Sequence, residues 1–322
     1  MAQLKYNIVT IGDCSIDYFV EPTGYQISRA TGTEQLSFPL AQKLPINTFQ
    51  VFAGGNALNT AVSFKRLGLR TAIISQLGDD LGAELILSQV KQERIDSQFL
   101  SRSKKTETNS SIILVTAGER TILSYHCEKN YPVPKNLSTD WVYITSMGAG
   151  FEKVYRRFGS YATKFKIAFN PGSQQLLRHR TSVRGLATRT KLLFVNIEEG
   201  RGLLGGSTAS PRQLLNGLKR LGAEKVFVTD GKQGAYAIDS SGCYKIGIYP
   251  AKRIDATGAG DAFASGATCA IILGYSTQEA LRWGTINAAK EVAKIGVQNG
   301  LCDRSELMAE LTKQANFRPN KF

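Results

Sequence analysis

Asp255-Ala-Thr-Gly-Ala-Gly-Asp261 runs directly into Ala262-Phe-Ala-Ser-Gly-Ala-Thr-Cys-Ala-Ile-Ile-Leu273. The second part reads as a helix over 262–273. Ala262, Gly266 and Ala270 fall on one ridge, with Phe263, Ala267 and Ile271 beside it, and such small residues suit close packing on a sheet. Glycines ahead of a helix let backbone N–H groups turn inward with no Cβ in the way. The helix start adds unpaired N–H donors and a partial positive charge. Gly258, Ala259 and Gly260 therefore read as an anion hole suited to a phosphate. Asp261 has two readings. As an N-cap it would close the helix end. As a general base it would take the proton of an attacking hydroxyl while the N–H groups hold phosphoryl oxygens. Phosphoryl transfer needs mainly positioning and charge stabilisation, so such parts could suffice with a metal ion. The segment alone leaves both readings open.

Working outward, short β-branched or aromatic runs alternate with helical patterns. Strands are expected over Asn7–Gly12, Thr71–Leu77, Trp141–Thr145, Lys166–Asn170, Leu192–Asn196 and Lys225–Thr229. Helices are expected over Asn56–Leu67, Leu81–Gln92, Ser210–Leu221, Ala262–Leu273 and Thr277–Ile295, the last opened by a Ser276-Thr-Gln-Glu279 capping box. This alternation predicts an α/β fold with a mostly parallel sheet covered on both faces. Two stretches break it. Between Asp17 and Phe52, Tyr18–Val20, Gln35–Phe38 and Phe49–Phe52 are strand-like with no helix between them. Asn109–Val115 and Thr121–His126, joined through Ala117-Gly118-Glu119-Arg120, read as a hairpin. These pieces are either a small second sheet able to cover a cleft or edge strands of the main sheet.

The 322 residues carry a net charge of +14. Basic residues concentrate between Lys153 and Lys191, which reads as a solvated face, since no helix-turn-helix, zinc-finger or RNP-type pattern accompanies them. No nucleic-acid partner is expected. No apolar run is long enough to span a bilayer, and the N-terminus runs into the first strand without a signal-peptide core, so neither a membrane association nor a cleaved leader is expected. Five scattered cysteines without a CxxC pair argue against disulfides or zinc and for a reducing cytoplasm. No GxxxxGK[ST] loop, GxSxG elbow or HExxH pair is present. The first strand ends in Gly12-Asp-Cys-Ser-Ile-Asp17 rather than GxGxxG, against a dinucleotide-binding fold.

Asp255–Phe263 closely resembles the C-terminal signature of the ribokinase-like (PfkB) carbohydrate kinases. Gly54-Gly-Asn-Ala-Leu-Asn-Thr-Ala61, with Arg66-Leu-Gly68 and Gly78-Asp-Asp-Leu-Gly82, resembles their N-terminal signature. The resemblance covers nearly the whole chain. It implies a three-layer α/β/α sandwich forming a single kinase domain over 1–322, with a discontinuous β lid inserted at about 17–52 and 109–127. It implies ATP-dependent transfer of a γ-phosphoryl group to a hydroxyl of a small sugar-like substrate, with Asp261 as base and Gly258, Ala259 and Gly260 as anion hole. On the substrate side it implies Asp17, Gly54, Gly55, Asn56, Asn59 and the lid residue Arg120. On the nucleotide side it implies Thr229, Gly231, Gly234 and Asn287, with Asn196 and Glu199 acting on Mg2+ through water. Asp255 and Thr257 match a place where many members bind a monovalent cation such as K+, with backbone carbonyls around Lys294–Gly300. A homodimer through exposed lid edges is expected.

Asn56 stands where ribose-specific members often carry lysine, and Tyr143-Ile-Thr-Ser146-Met-Gly148 lacks the glutamate such members use. Both departures count against ribose itself. A ketohexose, a keto-deoxy sugar acid, a nucleoside or a sugar phosphate remain, and the Arg/Lys excess leans toward an acidic substrate. A nucleoside kinase on the same fold would need an apolar, aromatic lid, for which Tyr18, Phe19 and Phe38 are available. A non-catalytic sugar-binding regulator would normally have lost Asp261 or the Asn196/Glu199 pair, and all three are present.

Overall fold

Successive side chains on a strand point to opposite faces, and the apolar strands of this chain use both. In Tyr6–Ile11, Val9 and Ile11 enter one core and Ile8 the other. In Leu192–Asn196, Leu193 and Val195 enter the first, Leu192 and Phe194 the second. In the computed structural model, which describes residues 5–28, 34–116, 119–160, 164–206 and 208–322, these strands belong to a ten-stranded sheet. Its order is Asn320–Lys321, Cys243–Ile246, Ala235–Ile238, Lys225–Thr229, Leu192–Asn196, Lys166–Phe169, Thr139–Ile144, Tyr6–Ile11, Thr71–Leu77, Leu100–Arg102. Pairing is parallel from Lys225–Thr229 to Leu100–Arg102 and antiparallel over the remaining edge.

Helices Phe151–Ser160, Arg180–Ala187 and Pro211–Lys219 cover one face through Phe158, Val183 and Leu214. Helices Asn56–Arg66, Ala259–Ile272, Thr277–Glu291 and Arg304–Lys313 cover the other through Phe64, Phe263, Trp283 and Leu307. The result is the expected three-layer arrangement. No helix among the described residues is long and apolar enough to cross a membrane. All five cysteines are free.

Most expected elements shift by one or two residues at their ends. Two differences matter more. The glycine-led helix begins at Ala259, three residues early, so Asp261 sits inside its first turn rather than ahead of it. The next helix stops at Glu291, because the Val292 carbonyl accepts from the Ile254 and Asp255 N–H groups. Its capping box forms by half: Ser276 Oγ accepts from Glu279 N, while the Glu279 carboxylate pairs with Arg282.

The two irregular stretches form a separate four-stranded sheet, not edge strands. Its order is Ile46–Gly54, Ser15–Pro22, Asn109–Thr116, Glu119–Tyr125. Gln35–Ser37 does not join it but pairs with Gln26–Ser28 in a two-stranded sheet. The turn expected at Ala117-Gly118 lies outside the described residues. The small sheet leaves the main one where Gly54 meets Ser15. A Cβ on Gly54 would stand 2.2 Å from Asp17 Oδ2, so only glycine lets the strand pass this close.

Candidate active site

A cleft of about 620 Å3 opens between the small sheet and the C-terminal ends of the parallel strands, the usual place for ligands in open α/β sheets. At one wall the Ala259–Ile272 helix begins. Gly258 is its N-cap in the left-handed conformation (φ 80°), and no side chain caps the first turn. The N–H groups of that turn have no intrahelical acceptor, and Gly258 and Gly260 both line the cleft.

The Asp261 side chain caps nothing. Its Oδ1 accepts from Asn56 Nδ2 and its Oδ2 from Asn59 Nδ2, both at 2.9 Å. Asn59 is held in turn by Gln298 Nε2 at 3.0 Å. The helix Asn56–Arg66 therefore presents two amides, three residues apart on one face, to a carboxylate some two hundred residues away. Burial raises the Asp261 pKa to about 6, aided by the negative charge of Asp17 and opposed by the two amide bonds. Asn56 and Asn59, expected on the substrate, both line the cleft and bind this carboxylate.

Strand register brings the next group together. Asp17 pairs across to Ser111, and Ser111 to Ser124, so the three share the cleft face of the small sheet. Asp17 accepts from Ser15 Oγ at 3.0 Å. Burial lifts its pKa to about 6 against the bonds from Ser15 and Ser111. Gly55 has φ 91°, and a Cβ there would meet the Asp13 carbonyl at 2.6 Å.

Opposite lies the capping pair. Asn196 Oδ1 accepts from Glu199 N, and Glu199 Oε2 from Asn196 N. Glu199 Oε1 accepts from Ser173 Oγ at 2.8 Å, and burial raises the Glu199 pKa. Thr229 and Gly231 also line this side, and Arg120 lines the cleft from the small sheet. Asp255 Oδ1 accepts from the Thr257 N–H and hydroxyl, and its Oδ2 from Gly296 N. Thr257 and Ala256 line the cleft; Asp255 faces a neighbouring hollow shared with Arg120.

Besides Asp255, four expected residues are not among those that line the cleft: Gly54, Ala259, Gly234 and Asn287. Gly234 makes a turn with φ 93° and is not among the cleft-lining residues. Asn287 is fully buried. It donates to Ser63 Oγ and the Ala262 carbonyl and accepts from Cys302 N. It ties three segments together instead of facing a nucleotide. Conversely, Asp13, His126, Ser146, Asn170 and Ser173 line the cleft without having been singled out. Only Asp13 carried a signal, as an acid directly after the first strand.

A glycine-led helix start, a buried acid held in its first turn and a polar cleft over parallel strand ends meet at one place, and the family match makes the chain a phosphotransferase with an alcohol group as acceptor. The chain belongs to the family of pfkB carbohydrate kinases, which it matches over residues 7–304. Ribokinase from Bacillus subtilis (strain 168) is 24% identical over 310 residues, spanning 94% of this chain and 98% of that protein. A solved E. coli protein assigned as ribokinase II, in complex with ATP and Mg2+, has a TM-score of 0.80 at 19% identity and covers 97% of this chain and 100% of its own. The nucleoside kinase of Methanocaldococcus jannaschii has a TM-score of 0.77 at 22% identity, with coverage of 97% and 100%. At these identities the structural likeness is one of fold.

Proposed function

We propose that this chain transfers the γ-phosphoryl group of ATP to a hydroxyl of a small sugar-like substrate, with Asp261 as general base. The observation that carries this is the Asp261 carboxylate in the first turn of a glycine-started helix, each oxygen steadied by one amide. A carboxylate oxygen has two lone pairs, so each keeps one for a substrate proton. The first-turn N–H groups at Gly258, Ala259 and Gly260 would hold the transferred oxygens. Asp17 would accept substrate hydroxyls, with Gly54 and Gly55 letting the chain approach and Asn56 and Asn59 aiming the base.

Thr229 and Gly231 would border the nucleotide, with Gly234 shaping their turn. Asn196 and Glu199 would hold Mg2+ through water, since both residues line the cleft and their oxygens retain lone pairs beyond their existing bonds. When bound, the metal would neutralise charge on the phosphates. Asp255 and Thr257, tied to the 294–300 loop through Gly296, would seat a monovalent cation such as K+.

The small sheet serves as a lid over one domain, with Arg120 reaching from it toward the substrate. Its outer face exposes Phe49, Val51, Ile112, Leu123 and Tyr125, and we assign it to a homodimer contact. Five free cysteines fit a cytoplasmic enzyme. A nucleoside as acceptor is the second reading, favoured by Ile113 and Ile122 facing the cleft from the lid.

Asp261→Asn tests the proposal. It keeps shape and hydrogen bonding but removes the base, so turnover with ATP-Mg2+ should fall about a thousand-fold while ATP affinity holds. Near-normal turnover would refute the assignment.

A further inference from the structure

Asp13 lies just beyond the strand Tyr6–Ile11 and is 4% exposed. Its Oδ1 accepts from the Tyr131 hydroxyl at 2.6 Å, and that hydroxyl is itself fixed by Gly148 N. Its Oδ2 is buried and has no hydrogen-bond partner among the described residues. The nearest basic group, His126 Nδ1, stands 3.4 Å from that Oδ2 and pairs with it when protonated. His126 also stands 3.3 Å from Asn109 Nδ2, whose amide oxygen is taken by Cys127 N. Asp13 and His126 both border the cleft. The Asp13 Oδ2 is enclosed behind the imidazole, so the half-exposed His126 ring is the part of the pair that a ligand meets.

The charges around this end narrow what the ligand is. Asp13 and Asp17 place two buried carboxylates there. His126 is the basic group beside them, and Asp13 already engages it. Lys129 is near, but its ammonium is turned to Thr106 Oγ1 and the Glu107 carbonyl. Arg120 lies four residues from Ser124 along its strand, on the order of 13 Å away at about 3.3 Å per residue. Among the described residues, the basic side chains that line the cleft are His126 at this end and Arg120 farther along the lid strand. A carboxylate or phosphate set here would face two like charges against one shared imidazole, whose pKa the bond to Asp13 raises. A hydroxyl would bond to the imidazole that Asp13 holds in place and to Ser111, Ser124 or Ser146, which border the same space.

We infer that Asp13 and His126 are a specificity-determining pair that reads a hydroxyl of an uncharged polyhydroxyl substrate and turns away sugar acids and sugar phosphates. The inference rests on the kinase reading for its acceptor and reverses the lean toward an acidic substrate.

Calorimetric titration and ATP-dependent turnover would be run side by side on wild type and Asp13→Asn. The neutral probes are D-ribose, D-fructose and inosine; the acidic ones are D-gluconate, 2-dehydro-3-deoxy-D-gluconate and D-fructose 6-phosphate. Wild type should bind one neutral probe at least ten-fold more tightly than any acid. Asp13→Asn should weaken that probe ten-fold or more and leave the acids unchanged or improved. ATP affinity within about two-fold of wild type certifies that the variant is folded. An acid as the best wild-type ligand, equal losses for neutral and acidic probes, or no binding by any probe overturns the inference. Phosphorylation of an acid would overturn it and leave the kinase reading standing. Neutral binding lost in Asp13→Asn, without phosphorylation of any probe, would do the reverse.

Discussion

The two ends of the cleft are built differently. The proposed phosphoryl end comes from one contiguous stretch, Gly258–Asp261, whose donors would be backbone N–H groups and whose acid lies within the same helical turn. The proposed sugar end is assembled from Asp13, Asp17, Ser111, Ser124, His126 and Ser146, drawn from several loops and from strands paired in register. Backbone donors are independent of side-chain identity, so chemistry common to a family can be fixed in one place. Side chains from many places can change one at a time, which suits the part that distinguishes substrates. Asp261→Asn strikes the first end and should produce the largest loss of turnover; Asp13→Asn strikes the second and should divide substrates by charge.

Gly54→Ala probes whether the ends are separable. A Cβ at Gly54 would intrude on Asp17 Oδ2 and push that carboxylate aside. A displacement of about 1 Å at a reacting site can cost on the order of a hundred-fold. We expect KM for the sugar-like substrate to rise between ten- and a hundred-fold, with KM for ATP within about two-fold. Equal losses in both would mean that the ends respond as one unit.

Acidity couples them more mildly. Asp17 and Asp261 both have pKa values raised by burial to about 6, and the charge of Asp17 raises that of Asp261 further. Both are proposed to work ionised, and interacting sites titrate as a pair. On this basis kcat/KM should be flat above about pH 7 and fall about ten-fold per unit just below 6, steepening as the second acid protonates. A profile level down to pH 5 would break the coupling.

Much of the phosphoryl end was legible in sequence because its parts are adjacent. What sequence could not reveal was that Asp261 belongs to the helix, since Ala259 and Gly260 are weak markers of a boundary. Asn287 shows the opposite limit. An amide on the last long helix looked available for a base, but its role is settled by Ser63, Ala262 and Cys302, none of which is near it in sequence. Asp13 was passed over because its meaning depends on Tyr131 and His126, more than a hundred residues away. The lid strands were legible as strands through their β-branched and aromatic runs. Their separation from the main sheet turns on long-range pairing of Ser15–Pro22 with Ile46–Gly54 and Asn109–Thr116, which local pattern does not encode.

The smallest expected effect concerns the support behind the phosphoryl end. Glu291 is buried without exposure; Oε2 accepts from Gly300 N, and Oε1 has no hydrogen-bond partner among the described residues. Gly300 belongs to the loop that also carries Val297, packed against Gly258, and Gln298, which holds Asn59. Burial raises the Glu291 pKa from 4.5 to about 8. In the folded state its ionisation is therefore disfavoured relative to the unfolded chain. That cost is absent below about pH 4.5, grows as pH rises toward 8 and is complete above it, so Glu291 removes stability with rising pH, on the order of a few kcal/mol. Glu291→Gln keeps an acceptor for Gly300 N and cannot ionise. Whatever its absolute Tm, its advantage over wild type should grow by several degrees from pH 5 to pH 9, with turnover at neutral pH within about two-fold. Parallel Tm curves for the two proteins would show that the carboxylate is already ionised and compensated by Arg66. The loop beneath the anion hole would then be braced by charge, and the phosphoryl end would depend on side chains as much as the sugar end does.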